Sequence, residues 1–396
     1  MNRFMPGNAI GLLRNGTEYF PALIDAIDGA TREVWLETYI YADDPSGRAV
    51  ADALIRAAQR GVTVRVLVDG WGAKYYLTPS LEQALVDGGV QLMKYRPEVA
   101  PWQFRSHRLR RLHRKICHVD ARVAFVGGIN IIDDMHTPGH KPPRVDFAVT
   151  VRGPLVASVV QTMQRVWAIV EIAQLRSSDV PLFPEQVRSM RVGTQTAKFV
   201  IRDNVRYRRD IERAYLAAIR TARTEILIAT AYFFPGADFR RALIAAADRG
   251  VKVTLLLQAR VEYRLLHYAS RALYGQLLAA GVGIQEYHRS FLHAKVAVVD
   301  DRWATVGSSN IDPFSFLMGR EANVFVRDPQ FADRLRLELL AMIDGGARPV
   351  PRERWDERSR FAKARSWIAY GIVRVAMGML RYGGDEWWRG HEPVRS

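Results

Sequence analysis

Five residues of this 396-residue chain recur at a single offset. His113, Lys115, Asp120, Gly127 and Asn130 are matched 180 positions later by His293, Lys295, Asp300, Gly307 and Asn310. One offset shared by five positions points to an internal duplication, so the chain must fold as two related halves. The repeat extends beyond these residues: 54–69 align with 243–258, with nine of sixteen positions identical. Each copy reads as the end of an amphipathic helix, a stopping glycine (Gly61, Gly250) and a strongly apolar strand. Upstream, the run from Glu33 to Tyr41 parallels that from Glu225 to Phe234, both being strands that end in aromatics. Each half therefore reads helix, strand, helix, strand, motif strand, return strand, which predicts an α/β sheet between helical layers.

The predicted divisions are 1–175 and 190–345 for the two halves and 346–396 for a tail. A helical connector carrying Val159, Met163, Val166, Trp167 and Ile169 joins the halves, followed by a Pro/Ser-containing stretch at 177–184. Gly61 precedes His113 by 52 residues, but Gly250 precedes His293 by only 43. The surplus falls in 105–114, where Arg105, Arg108, Arg110, Arg111 and Arg114 cluster, either as a solvated charge group or as an edge for anionic headgroups. In the tail, 346–359 reads as a linker, and the apolar run 361–382 is interrupted by Arg365, Arg374, Arg381 and two glycines. That pattern disfavours a spanning helix. It predicts a segment lying in a membrane interface, with Trp387 and Trp388 at headgroup level, or one packed back on the second half.

The balance of 57 Lys+Arg against 41 Asp+Glu leaves a net charge of +16, which implies a polyanionic partner, nucleic acid or an anionic membrane. The lone cysteine, Cys117, excludes an intramolecular disulfide and a cysteine-based zinc site, and it reads as a core residue. The first twenty residues show neither a signal peptide nor a spanning helix.

Residues two apart on a strand face the same way, so His113 projects with Lys115 and His293 with Lys295. If the halves meet face to face, two imidazoles and two ammonium groups converge on one anion, with Asn130, Asn310 and Ser308 as further donors. Such a set suits displacement at a phosphodiester: lysines and amides stabilise the equatorial oxygens, one neutral histidine attacks phosphorus, and the other moves the proton. Asp120 and Asp300 have the opposite strand parity and are expected to brace the turn. The remaining histidines (His107, His118, His136, His140, His267, His288, His391) lack metal-ligand spacing and read as surface or core residues.

The paired His-x-Lys-x4-Asp resembles the signature of the phospholipase D superfamily. That resemblance implies two pseudo-symmetric α-β-α sandwich halves sharing one active site at their interface. It also implies His113, Lys115, Asp120, His293, Lys295 and Asp300 as the catalytic set, with neither cofactor nor metal. Glu321, in Gly319-Arg-Glu321-Ala-Asn323, stands where the family places its histidine-supporting acid, and Asp146 is the nearest counterpart in the first half. The stretches 7–19 and 36–40, with Gly127-Gly128-Ile-Asn130 and 307–315, are similar to bacterial cardiolipin synthases of the B type. This resemblance implies transfer of a phosphatidyl group between two phosphatidylglycerol molecules through a phosphohistidine, with glycerol released. By analogy with two-motif relatives, His113 is the nucleophile and His293 the acid/base. The expected partner is an anionic phospholipid membrane, contacted peripherally on the cytoplasmic face of the inner membrane, with no nucleic acid. Phospholipid hydrolysis and nuclease chemistry are the alternatives; the acceptor and the oligomeric state stay open.

Overall fold

The computed structural model describes residues 3–97, 110–176, 180–181, 190–203, 207–260, 264–312 and 319–379. Arg105, His107, Arg108, Trp387, Trp388, His391 and most of the stretch at 177–184 lie outside the described residues.

Two strands at the centre, Met5–Arg14 and Gln195–Arg202, pair antiparallel and join the halves into one continuous sheet. Outward from Met5–Arg14 come Phe147–Arg152, Val123–Gly127, Lys115–Val119, Glu33–Thr38, Thr63–Asp69 and Gln91–Tyr95. Outward from Gln195–Arg202 the order repeats with Gly319–Arg327, Trp303–Gly307, Lys295–Val299, Glu225–Thr230, Lys252–Gln258 and Gly283–Tyr287, and Ala347–Pro349 closes the edge. The three outer strands of each half before that edge run parallel, as helical crossovers require. The expected α/β architecture with two pseudo-symmetric halves is therefore the one adopted.

Local chemistry explains the element ends. The helices Pro45–Gln59, Pro79–Asp87 and Pro329–Gly346 each begin with proline at the first turn, behind a side chain (Asp44, Thr78, Asp328) that accepts a backbone N–H. Gly61 and Gly250 end the matching helices with φ of 86° and 85°, a left-handed conformation that a Cβ would strain.

The helices Val156–Ala173 and Pro329–Gly346 cover the sheet where the halves meet. Their Val159, Met163, Leu335 and Leu339 share one apolar core with Val149 and Val151 of the first half and Val324 and Val326 of the second. Rigid seating of one half on the other follows from that shared core, and the site described below depends on it.

The C-terminal helix, Arg360–Met379, packs back on the second half. Ala369, Tyr370 and Val373 are buried with Phe234, Leu266 and Ala269, the last two on the helix Arg264–Ala272. Its other face presents Phe361, Trp367, Ile368, Ile372 and Val375 to solvent. Packing back and an exposed apolar stripe are thus two faces of one helix.

Candidate active site

Both motif strands, Lys115–Val119 and Lys295–Val299, are buried along their whole length, and each begins two residues after its histidine. The histidines are fixed by short ladders that cross between halves. Arg111–Leu112 pairs in parallel with Gly319–Arg320, and the His113 N–H donates to the Arg320 carbonyl at 3.1 Å. In the mirrored arrangement Phe291–Leu292 pairs with Arg144–Val145, and the His293 N–H donates to the Val145 carbonyl at 2.8 Å.

The residue after each of those carbonyls is a carboxylate, and it reaches the same histidine. Glu321 Oε1 lies 3.0 Å from His113 Nδ1, and Asp146 Oδ2 lies 2.6 Å from His293 Nδ1. Each imidazole is therefore supported by an acid from the opposite half. A carboxylate at Nδ1 holds the proton there and leaves Nε2 as the reactive nitrogen. Both histidines, Asn130, Asn310 and Glu321 line one cleft of about 690 Å³.

Lys115 and Lys295 are buried, and each Nζ donates to the backbone carbonyl of its own histidine. Burial lowers the Lys115 pKa to about 7 and that of Lys295 to about 8. Burial, and then the Lys115 charge, lowers His113; the same causes, with Lys295 2.8 Å from its Nδ1, take His293 to about 3. Burial raises Asp146 and Glu321, but neighbouring cations outweigh it and both stay below the ordinary range. Without ligand the site thus holds two neutral imidazoles, two ionised acids and two reluctant ammonium groups. An entering anion raises every basic group among them.

Three of the expected site residues do other work. Ser308 was expected on the phosphate, yet its buried hydroxyl donates to Glu321 Oε2 and accepts the Ala322 N–H at 3.1 Å. Its single proton is committed, so it braces the acid. Asp120 and Asp300, included in the catalytic set, sit one strand length from the lysines, about 17 Å. Asp120 accepts the N–H groups of Thr31, Arg32 and Glu33, and Asp300 those of Arg223, Thr224 and Glu225. Both tie the motif strand to its neighbour, as their parity implies. Asn130 fits the phosphate role better: the Ile40 N–H bonds its Oδ1 at 3.1 Å, which leaves its amino group uncommitted by that bond, and the residue lines the cleft.

The family model described as cardiolipin synthase, PLD-like domain, matches residues 23–138 and 215–343, one stretch in each half. The chain belongs to this cardiolipin synthase family of phospholipase D-like proteins. It is 37% identical to cardiolipin synthase B of Escherichia coli K12 over 374 residues, which cover 93% of this chain and 88% of that one. It is 34% identical over 320 residues to cardiolipin synthase 2 of Bacillus anthracis, covering 80% of this chain and 61% of the relative. In fold it is similar to the crystal structure of phosphatidylserine synthase from Haemophilus influenzae Rd KW20 (TM-score 0.70, 13% identity, 96% of both chains).

Within this cardiolipin synthase-family fold, a repeated pair of supports and one further residue escaped the sequence reading. Asp69 accepts the Leu112 N–H at 2.7 Å, and Gln258 accepts the Leu292 N–H at 2.8 Å, so each fixes the residue just before a site histidine. Their equivalence was visible, since 69 and 258 are the last pair of the aligned repeat. Arg202 is the further residue, 3.7 Å from Glu321 Oε1 and fully buried. It ends a central strand at a place where the sequence offers no sign of a nearby acid.

Proposed function

We propose that the protein is a cardiolipin synthase that transfers a phosphatidyl group from one phosphatidylglycerol to another. The observation that carries this reading is the pair of acid-supported histidines facing one cleft, in a chain whose relatives bear that name. The donor phosphodiester binds between the histidines, its oxygens taken by Lys115, Lys295, Asn130 and Asn310. Neutral His113 attacks phosphorus through Nε2, forming a P–N bond as the P–O bond to glycerol breaks. His293, protonated under the influence of the bound anion, gives its proton to the departing alkoxide. It then takes a proton from a headgroup hydroxyl of the second phosphatidylglycerol, whose oxygen displaces His113 and yields cardiolipin. Glu321 behind His113 is held in turn by the Ser308 hydroxyl and Arg202, and Asp146 behind His293 by the Phe147 N–H and Lys295. An in-line nucleophile requires such fixity.

The membrane is met from the surface. No helix among the described residues is long and apolar enough to cross a bilayer. Trp71 and Tyr75 of the first half and Leu265 of the second are exposed and also line the cleft. Val373 joins that lining from the buried face of the C-terminal helix, whose other face carries the exposed apolar stripe. Together with the net charge of +16, this supports peripheral seating on an anionic leaflet, the cytoplasmic face of the inner membrane.

The test incubates purified protein with phosphatidylglycerol vesicles in EDTA and resolves the lipids, with His113→Ala as control. Cardiolipin and glycerol that both vanish in the variant are the expected result. Phosphatidic acid alone would make the protein a hydrolase.

A further inference from the structure

The two cross-half ladders differ in a way their pseudo-symmetry does not require. On the His113 side Arg111 stands opposite Gly319; on the His293 side Phe291 stands opposite Arg144. By the repeat, Arg111 corresponds to Phe291 and Gly319 to Arg144, so at this pair each side carries one arginine from a different strand, and the His113 side adds Arg320 opposite Leu112. Arg111 precedes His113 by two residues and Arg144 precedes Asp146 by two. Both side chains therefore leave the backbone on the face that carries the histidines and their acids. Both arginines line the cleft.

Their settings differ. Arg111 Nη1 lies 3.8 Å from the Asp69 carboxylate. Arg144 is 7% exposed, donates to the carbonyls of Asp133 (3.3 Å) and His136 (2.9 Å), and lies 5.6 Å from the centre of the Phe291 ring. Its guanidinium is held in place by two backbone oxygens and an aromatic face, and its charge is felt at the Asp134 carboxylate as well as at His293 and Lys295.

In displacement at phosphorus the incoming and departing groups take opposite sides, roughly in line. With His113 attacking, glycerol leaves on the His293 side and the acceptor hydroxyl arrives there. An acceptor that is itself a phospholipid brings a second phosphate, one glycerol away from its attacking oxygen. Arg144 and His293 line the same cleft, and Arg144 precedes by two residues the acid that supports His293. We infer that Arg144 forms a second anion site, which holds the non-reacting phosphate of the acceptor phospholipid while its hydroxyl is delivered to His293. This rests on the transferase reading and adds acceptor selection to it. Guanidinium suits the task because its planar fork matches two phosphate oxygens. Water and free glycerol carry no phosphate, so the site directs the phosphatidyl-enzyme toward lipid and away from hydrolysis.

The test lets one intermediate choose between acceptors. Full-length protein acts on phosphatidylglycerol vesicles in the presence of radiolabelled glycerol. Transfer to lipid gives cardiolipin, and transfer to free glycerol gives labelled phosphatidylglycerol. Arg144→Gln keeps amide donors for the two loop carbonyls but removes the charge, and Arg144→Lys keeps the charge without the fork. The ratio of cardiolipin to labelled phosphatidylglycerol should fall at least tenfold in Arg144→Gln and by less in Arg144→Lys. In Arg111→Gln it should stay within about twofold. An unchanged ratio in Arg144→Gln overturns the inference, and so does a fall that follows Arg111 instead. If Arg144→Gln loses both products, Arg144→Lys decides, and a wild-type ratio there refutes the site. Wild-type protein that makes neither product would sink the transferase reading itself, and this inference with it.

Discussion

His293 and Asp146 meet at 2.6 Å although 147 residues and the whole interface between halves separate them. Asp146→Asn and Glu321→Gln keep shape but remove the negative charge and replace one of the two acceptor oxygens with an amino donor, so the hold on each imidazole's tautomer is lost. Turnover of phosphatidylglycerol is expected to fall about 10²–10⁴-fold in either variant, with circular dichroism unchanged. Near-wild-type turnover in both would show that the carboxylates only pack.

Gly128 and Ser308 occupy the same place in the repeat and treat their acids differently. A Cβ on Gly128 would stand 2.3 Å from Asp146 Oδ1, so Gly128→Ala must push the acid away from His293. Ser308→Ala removes one brace from Glu321 and leaves Arg202 beside it. The glycine variant should therefore lose more turnover than the serine variant, whose loss is expected at about tenfold. Steady-state rates on mixed vesicles decide, and the reverse order would refute the argument.

The lysines give the free protein a signature in pH. Lys115 at about 7 and Lys295 at about 8 lie well below the unfolded value, so between pH 7 and 10.5 the unfolded chain binds more protons. Stability therefore rises with pH across that window. Lys115→Met should raise the melting temperature at pH 7, by a gain that shrinks toward pH 10. Tungstate, a phosphate mimic, should bind with net proton uptake at pH 7.5, read by calorimetry in buffers of different ionisation enthalpy. Proton-neutral binding would mean that the ammonium groups are already fully charged.

His118 is buried against Trp35, and neither ring nitrogen has a hydrogen-bond partner. Burial takes its pKa to about 3, so the unfolded chain protonates first as pH falls below about 6.5. Native protein loses about 1.4 kcal/mol per pH unit through this one group below that point. His118→Phe should match wild type in melting temperature near pH 8 and exceed it increasingly toward pH 4. Parallel curves over that range would count against the assignment.

On the C-terminal helix, Trp367, Ile368 and Ile372 face solvent while Val373 is buried. Replacing the three exposed residues with serine should weaken sedimentation with phosphatidylglycerol vesicles at least tenfold and leave the fold intact, since fully burying each would contribute about 1.5–3 kcal/mol. Unchanged sedimentation would remove this helix from the membrane contact.

The duplication was legible because His, Lys, Asp, Gly and Asn recur at one offset, and the succession of helices and strands along each copy followed from their periodicity, whereas the central pairing of Met5–Arg14 with Gln195–Arg202 did not. The crossing of the carboxylates was not. Glu321 is 28 residues from His293 but serves His113, because tertiary pairing of two-residue ladders decides the matter and chain distance carries no trace of it. Ser308 was misplaced for a related reason: a hydroxyl can face a substrate or an acid, and only packing selects between them. Asp120 and Asp300 were correctly suspected of a bracing role, because parity on a strand is set by covalent geometry alone.

The continuous central sheet has an evolutionary consequence. Two identical subunits sharing such a site would be bound by symmetry, and any change on one side would appear on the other. With both halves in one reading frame, a serine stands where its counterpart is glycine, and an arginine can occupy one ladder while a phenylalanine faces it. Fusion thus freed the two sides to mutate separately, and a catalyst that asks one histidine to attack and the other to shuttle a proton can use that freedom.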